Sequence, residues 1–369
     1  MKMKLKVQTL NAIFAVIFFT FMGCNKTQDG SCKNNEENEK KWTTAKAVEW
    51  QNQNGWLVGC NYIPATAVNQ LEMWQKESFD AATINNELKL ASETGFNIIR
   101  VFLHDLLWDA DSLGFVERIK TFISIADKYK IKTMLVFFDD CWYGNAQLGK
   151  QPNPIIGIHN SGWLQSPRYA DVMNKNEWKR LERYVKGIMT KFKDDQRIAL
   201  WDLYNEPANN HTPSQVFPLL KEVFQWARNV NPTQPLTVCV WKEGESYNEL
   251  IAYCIAQSDI ISYHNYSDYE GMAKQISNLK SFGKPLLCSE YLARGYKSTF
   301  ETILPLMKKE NVAAINWGFV DGKTQTKYYW NHPLNDTIID PWHHEIYRKD
   351  LKPYKQSEVD LIKELTGKK

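Results

Sequence analysis

Eight short runs of apolar, β-branched and aromatic residues recur along the chain, and amphipathic stretches separate most of them. The runs cover residues 56–62, 97–103, 132–138, 198–203, 236–241, 260–264, 285–289 and 313–317. Strands of a parallel sheet are covered on both faces and therefore have this nearly continuous apolar character. The alternation with amphipathic stretches is typical of repeated strand-helix units, so the sequence predicts an α/β fold.

Helical spacing of apolar residues predicts helices over residues 83–92, 115–128, 177–192, 214–228, 272–282, 299–309 and 357–365. Within residues 115–128, Val116, Ile119, Phe122, Ile123 and Ala126 form one apolar stripe that would face the sheet. Eight strands between residues 56 and 317 favour a (β/α)8 TIM barrel over a doubly wound sheet, which usually has fewer strands. We therefore predict one barrel domain over residues 42–369.

Residues 142–168 interrupt this pattern, because they are rich in Gly, Pro, Asn and Trp and have no helical period. A long irregular loop inside a compact domain usually has a functional role. We expect this loop to form part of a substrate cleft.

The N-terminus carries lysines at positions 2, 4 and 6 before an apolar run over residues 12–22. The run is shorter than the roughly 20 residues that a membrane-spanning helix needs, so residues 1–23 predict an export signal peptide. The following segment, FMGC, resembles a bacterial lipobox, in which the cysteine, here Cys24, becomes the lipid-modified N-terminus. An ordinary signal peptide with a nearby cleavage site is the alternative.

Residues 24–41 are mostly polar and predict a flexible tether behind the lipid-attachment Cys24. The sequence thus predicts an exported, lipid-anchored protein on the periplasmic or outer face of a Gram-negative cell, with no membrane contact besides the lipid. Without the three signal lysines, basic and acidic residues are equal in number, 42 each. This balance argues against nucleic acid as a partner. We expect a monomer.

Cysteine spacing suggests neither a metal site nor a cofactor, because no CxxC pair or Cys/His cluster occurs. Cys60, Cys239 and Cys288 lie inside or at the ends of apolar runs, which favours buried free thiols.

Active sites of TIM barrels lie at the carboxyl ends of the strands, so polar residues after each run are candidates for one cleft. These candidates are Asn61, Tyr62, Arg100, His104, Asp105, Asp139, Asp140, Trp142, Asn205, Glu206, His264, Tyr266, Glu290, Tyr291, Asn316 and Trp317. Two runs end in a single glutamate, in the segments WDLYNEP, which contains Glu206, and PLLCSEYLAR, which contains Glu290. Glycoside cleavage uses two such carboxyl groups, one as proton donor and one at the anomeric carbon.

With these residues the sequence resembles the clan A glycoside hydrolases, TIM-barrel retaining enzymes that include families 2, 5 and 10. Their Asn-Glu pair after the fourth strand matches Asn205 and Glu206, and their glutamate after the seventh matches Glu290. The resemblance also implies supporting roles for Arg100, His264, Tyr266 and Trp317. Family 5, the cellulase-like group, is the nearest pattern, although its members often have a histidine after the third strand, where this chain has FFDDCW.

We therefore predict a retaining β-glycosidase that cleaves β-linked oligosaccharides or polysaccharides. Glu290 would attack the anomeric carbon, held by Arg100 and Tyr266, and Glu206 would act as acid and then base. The negative charge of Glu290, about 5 Å away, would keep Glu206 protonated. Asn205 would bind the sugar 2-hydroxyl.

Further sugar contacts are predicted for the strand-end residues His104 and Asp139 and for the loop residues Trp142 and Trp163. Asp139 and Asp140 could instead bind calcium, but no further pattern of oxygen ligands follows them. Two other functions stay open, a transglycosylase that uses the same site and a non-catalytic glycan-binding lipoprotein that keeps the barrel. The sequence does not determine which sugar is bound.

Overall fold

The computed structural model describes residues 41–334 and 336–369. The predicted signal peptide, Cys24 and nearly all of the predicted tether lie outside these residues. Within the described part of the chain, no helix combines the length and the hydrophobicity that crossing a bilayer requires.

Eight parallel strands form one sheet, in the order β5-β4-β3-β2-β1-β8-β7-β6. Their bounds are β1 Val58–Asn61, β2 Ile98–Phe102, β3 Lys132–Asp139, β4 Ile198–Asn205, β5 Leu236–Thr237, β6 Ile261–His264, β7 Leu286–Glu290 and β8 Ala313–Asn316. Each strand coincides with one of the eight predicted runs. Strands β3 and β4 extend to Asp139 and Asn205, so candidate site residues belong to the strands themselves.

The sheet closes between β5 and β6, its two ends. Val240 forms a parallel bridge with Tyr263, donates its N–H to the Ser262 carbonyl at 2.9 Å and accepts the His264 N–H at 3.0 Å. The ladder of β5 with β4 is only two residues long because the chain turns toward β6 afterwards. The predicted (β/α)8 TIM barrel is confirmed.

Helices connect the strands around the outside of the barrel. Their bounds are α1 Thr44–Asn54, α2 Gln70–Trp74, α3 Ala81–Thr94, α4 Asp105–Lys128, α5 Tyr169–Met173, α6 Lys175–Phe192, α7 Pro213–Val230, α8 Asn248–Gln257, α9 Tyr269–Lys280, α10 Phe300–Lys309 and α11 Gln356–Thr366. All seven predicted helices are present. Helix α4 begins ten residues before the predicted position, because His104 caps an additional segment that joins the helix through a kink at Asp111. Helices α1, α2, α5 and α8 were not predicted.

The core lies mainly between the sheet and the helices, as the predicted apolar stripe of α4 illustrates. Ile119, Phe122 and Ile123 of this stripe are fully buried. Burying one such side chain stabilises the fold by about 1.5–3 kcal/mol. This packing fixes the direction of each strand and hence the position of the residues at its carboxyl end.

A second, smaller apolar cluster fills the amino-terminal end of the barrel, and we call it the floor. It comprises Ala47, Leu57, Ile98, Met134, Ala199, Leu200, Ile260, Leu287, Ala313 and Ile315. Trp42 and Trp50, before and within α1, pack against it. The opposite end of the barrel, where the carboxyl ends of the strands lie, we call the mouth.

Candidate active site

A cleft of about 1070 Å³ opens at the mouth. Its walls come from the loops after β3 to β8, and the predicted loop over residues 142–168 supplies Trp142, Tyr143, His159, Asn160 and Trp163. The expectation that this loop helps form the cleft is confirmed.

Glu206 and Glu290 both line this cleft. Glu206 follows β4 and Glu290 ends β7, two strands whose carboxyl ends meet at the mouth. One oxygen of each carboxyl group and a ring nitrogen of His264 all lie within 4.8 Å of one another. Two carboxyl groups this close can contact the same anomeric centre.

Glu290 is held in a strongly polar environment although it is only 5% exposed. Arg100 Nη1 donates to Glu290 Oε1 at 2.9 Å, and the Tyr266 hydroxyl donates to Oε2 at 2.6 Å. A charge-assisted bond to a guanidinium is among the stronger polar contacts in proteins and favours the ionised carboxylate.

Arg100 is fully buried beneath the cleft, and all five of its N–H groups have acceptors. Nε and Nη2 donate to Asp202 Oδ2 at 3.0 and 2.8 Å. Nη1 also donates to Asn61 Oδ1, and Nη2 to Asn205 Oδ1, each at 2.7 Å. The guanidinium therefore has one orientation, which fixes the carboxylate of Glu290.

Glu206 has a different set of partners. His264 Nδ1 lies 2.7 Å from Oε1, while the Cys141 thiol at 3.2 Å and the Asn209 amide donate to Oε2. The Glu206 N–H donates to Cys239 Sγ at 3.2 Å. Its φ of +43° lies in the left-handed region, a strained conformation for a non-glycine residue that tends to occur at functional sites.

Burial raises the pKa of both Glu206 and Glu290. Burial is the main cause of the raised pKa of Glu206. The sequence analysis instead expected the charge of Glu290 to raise it. Burial lowers the pKa of His264 to about 4, so its ring is neutral at neutral pH. Among the described residues, Arg100 is the one fully charged cation that hydrogen-bonds either carboxyl group, and its partner is Glu290. This contact favours the ionised form of Glu290 over that of Glu206.

Asp139 lies behind the wall of the cleft and is 2% exposed. It accepts hydrogen bonds from Trp163 Nε1 at 2.7 Å, Asn205 Nδ2 at 2.8 Å and the Cys141 N–H at 3.0 Å. Burial raises its pKa to about 7. Asp139 therefore orients residues that line the cleft, and it is not itself brought to the cleft surface as the sequence suggested.

His104 is also absent from the cleft surface among the described residues. It is fully buried, and its Nδ1 accepts the Leu106 N–H at 3.3 Å as the N-cap of α4. His104 follows a strand, as predicted, but its side chain caps the next helix. The structure therefore does not place it where it could contact a sugar.

Aromatic side chains form much of the cleft wall. Trp163 and Trp317 pack edge to face with ring centroids 5.5 Å apart, and both contact Phe102. Trp142 stacks on His159 at 5.6 Å. Such faces pack well against the apolar faces of sugar rings.

Several cleft residues were missed by the sequence analysis, namely Cys141, Asn209, Asn210, Trp241, Glu243, Tyr296 and Trp330. Trp241 ends the fifth predicted run and could have been found by the strand-end rule. Trp330 lies in the irregular segment after β8 and packs on Tyr266 at 5.1 Å, a contact that no spacing predicts. His343 and His344, for which no role was predicted, are buried against Trp330.

Glu206, His264 and Glu290 are also close enough to share a metal ion. However, the Arg100 guanidinium and the Tyr266 hydroxyl already bind the two oxygens of Glu290. The five cysteines of the described residues are free and buried, as predicted for Cys60, Cys239 and Cys288.

Known proteins are similar to this chain in sequence or in fold. Endoglucanase H of Acetivibrio thermocellus is 25% identical over 118 residues, which are 31% of this chain and 12% of that much longer protein. The endo-β-1,4-mannanase of Thermotoga petrophila has a similar structure, with a TM-score of 0.56, 13% identity and coverage of 86% of this chain and 77% of that one. The exo-β-1,4-mannosidase of an Opitutaceae bacterium, strain TAV5, also has a similar structure. Its TM-score is 0.56, its identity is 16%, and the match covers 85% of this chain and 60% of that one.

The similar structures establish the fold, and a sequence profile establishes the family. The profile described as cellulase, glycosyl hydrolase family 5, matches residues 52–322. That range contains all eight strands as well as Glu206 and Glu290. The resemblance first seen in Asn205, Glu206 and Glu290 is therefore confirmed, and the chain belongs to glycosyl hydrolase family 5.

Proposed function

We propose that this protein is a retaining glycoside hydrolase that cleaves β-linked oligosaccharides or polysaccharides by double displacement. The separation of the two carboxyl groups carries the proposal, because oxygens of Glu206 and Glu290 lie within 4.8 Å. Retaining sites place these groups about 5–5.5 Å apart, whereas inverting sites need about 6.5–9.5 Å to admit a water.

In the first step, an ionised oxygen of Glu290 attacks the anomeric carbon and forms a glycosyl ester. The bond from that carbon to the leaving oxygen breaks, and the oxygen takes the proton of Glu206. Arg100 at 2.9 Å and Tyr266 at 2.6 Å hold the attacking carboxylate in place.

In the second step, Glu206 accepts a proton from a water molecule whose oxygen attacks the anomeric carbon and releases Glu290. Glu206 is the base here, so one group alternates between two protonation states. His264, neutral and 2.7 Å from Oε1, fixes the carboxyl group through both steps.

The sugar that is attacked would lie on Trp317, which lines the cleft with Glu290. Asn205 lines the cleft beside Glu206, and we propose that it binds the sugar 2-hydroxyl. Its amide donates to Asp139 at 2.8 Å and, over the longer distance of 3.4 Å, to Cys141 Sγ, so the sugar hydroxyl would compete with the weaker sulfur contact. Trp142 lines the cleft and follows Cys141, which contacts Glu206. Because Glu206 would protonate the leaving oxygen, the ring of Trp142 would contact the sugar of the leaving group.

A neutral glycan fits the charge of the cleft. The described lining residues include the carboxyl groups of Glu206, Glu243, Asp268 and Glu290, but no lysine or arginine. Such a cleft would repel uronate or sulfated polymers. Because similar structures include a mannanase and a mannosidase, mannosides join glucosides, xylosides and galactosides in the panel of aryl β-glycosides and β-glycans that identifies the sugar.

We also propose export and lipid anchoring through Cys24, on the strength of the signal-like residues 1–23. Labelling of the wild type but not of Cys24→Ala with a radioactive fatty acid in a bacterial host tests this. Equal labelling of both proteins would contradict it.

The nucleophile is tested with Glu290→Ala, for which we expect loss of nearly all turnover of an activated aryl β-glycoside. Azide fits the space left by the carboxylate and should restore turnover, with a glycosyl azide of inverted configuration as the product. Glu270→Ala, at an exposed glutamate of α9 outside the cleft, is the matched control and should behave as wild type. Substantial activity of Glu290→Ala without azide would refute the assignment.

A further inference from the structure

Cys141 contacts the acid/base candidate Glu206 through its side chain. It follows β3, lines the cleft and is 9% exposed. Its sulfur lies 3.2 Å from Glu206 Oε2. No other described side chain except Asn209 donates a hydrogen bond to this oxygen.

The direction of this hydrogen bond follows from the neighbours of the sulfur. The Asn205 amide donates to Cys141 Sγ at 3.4 Å, so the sulfur acts as acceptor on that side. The Cys141 backbone N–H donates to Asp139 Oδ1 at 3.0 Å, which holds the residue in place. The single S–H proton is thus available for Glu206, whose carboxylate oxygen is a strong acceptor.

We propose that Cys141 is a positioning residue whose thiol donates to Glu206 and sets how tightly this acid/base group holds its proton. The inference rests on the proposed function of Glu206. It goes beyond that function, because it assigns control of the proton affinity of Glu206 to one neighbouring side chain.

The thiol is suited to act as a donor over a wide pH range. Burial, together with the charges of Glu206 and Asp139, raises the pKa of Cys141 well above its usual value. It therefore stays protonated where a glycosidase works and cannot become a second negative charge beside Glu206. A weak donor is enough to favour the carboxylate form without removing the proton that catalysis needs.

The titration of Glu206 also depends on the other groups that face it. The titratable and charged groups around it are Arg100 from β2, Asp139, Asp140 and Cys141 from the end of β3 and its loop, Cys239 after β5, His264 and Tyr266 from β6 and its loop, and Glu290 from β7. Burial raises the pKa of Glu206, and the Cys141 thiol is the leading influence that lowers it. Removing the thiol should therefore raise it further.

The test is the pH dependence of kcat/KM for a substrate with a poor leaving group, whose basic limb reports loss of the acid's proton. In Cys141→Ala we expect the basic limb to move upward by about half a pH unit, the effect of a weak hydrogen bond to a charged group. Cys141→Ser keeps a donor, and its basic limb should return to the wild-type position or below it.

Cys239→Ala is the matched control, because it deletes a second buried sulfur that contacts the backbone of Glu206 and not its carboxyl group. Its rate can fall, but its basic limb should stay in place. An unmoved limb in Cys141→Ala, or equal shifts in the alanine and serine variants, would overturn the inference.

Failure of the inference can be told apart from failure of the proposed function. If Glu206 is not the acid, Glu206→Gln will keep the wild-type basic limb and the proposed function fails. If the limb disappears in Glu206→Gln but does not move in Cys141→Ala, Glu206 is the acid and only the role of Cys141 is wrong.

Discussion

The two ends of the barrel are built from opposite kinds of residue. The floor contains only apolar side chains, such as Ile98, Met134 and Leu200, and α1 closes it from below. Only two residues further along β2 and β4, Arg100 and Asp202 form a fully buried ion pair. The same strands thus change from hydrophobic packing to fixed charge within a few ångströms.

This difference separates the two tasks of the chain. The floor gains from burial and contains no group that needs a partner. The mouth requires ionised groups out of water, which is costly unless they are paired and hydrogen-bonded, as Arg100 is. We therefore expect substitutions at the mouth to change the rate, and substitutions in the floor to change the stability.

The largest expected effect is at the mouth. Glu206→Ala should lower kcat/KM about 10²- to 10⁴-fold for substrates with poor leaving groups, which need the proton. Substrates with good leaving groups should lose far less, because they depart without protonation. The thermal midpoint should change little, which sharpens the comparison. Equal losses on both substrate types would contradict the acid role.

The floor should show the reverse behaviour. Leu200→Ala should reduce the free energy of unfolding by about 2–5 kcal/mol, because the cavity it leaves is surrounded by strands that cannot collapse. Urea denaturation measures this loss, and kcat/KM per folded molecule should stay near wild type. Leu200→Met conserves the volume and should cost less than about 1.5 kcal/mol. A large fall in kcat/KM with intact stability would break the comparison.

Much of this arrangement could be predicted from the sequence because its causes are local. A buried strand and the residue after it are adjacent in the chain, so Glu206, Glu290 and His264 could be found among the candidates at the ends of apolar runs. The same rule also selected His104, because it cannot tell a side chain that enters the cleft from one that caps the next helix.

Contacts between distant loops could not be predicted. Trp330 reaches Tyr266 across 64 residues of sequence, and its place depends on how the segment after β8 packs. Likewise, the sequence shows Asp139 at a strand end but not that Trp163 and Asn205 satisfy its carboxylate. Hydrogen-bond partners far apart in sequence leave no periodic signal.

A smaller effect is expected for Tyr266→Phe, which removes one hydrogen bond to Glu290. Such a bond to a charged group contributes about 1.5–3 kcal/mol, so kcat/KM should fall about 10- to 100-fold. Tyr269→Phe, at an exposed tyrosine of α9, is the control and should leave kcat/KM unchanged. Thermal midpoints close to wild type are expected for both variants. A kcat/KM within twofold of wild type for Tyr266→Phe would show that Arg100 alone fixes Glu290.

The smallest effect is expected for a substitution of His211. This residue lies at the mouth but should contribute to stability, so it is an exception to the difference between mouth and floor. Asp140 accepts from its Nδ1, and the Tyr169 carbonyl lies 3.0 Å from its Nε2. Two acceptors require two N–H groups, which is the protonated ring. Burial lowers the pKa of His211, but these bonds outweigh burial, and the net pKa is raised above 6.5.

A raised pKa in the folded state means that protonation stabilises the fold. The contribution is complete below pH 6.5, the ordinary value, and disappears as pH rises through the folded-state pKa. His211→Gln should therefore lower the free energy of unfolding by about 1.5 kcal/mol at pH 6 and by less at pH 9. Urea denaturation at both pH values measures the difference. A deficit that stays constant or grows with pH would mean that His211 is neutral in the fold, and the polar mouth would then add no pH-dependent stability through this residue.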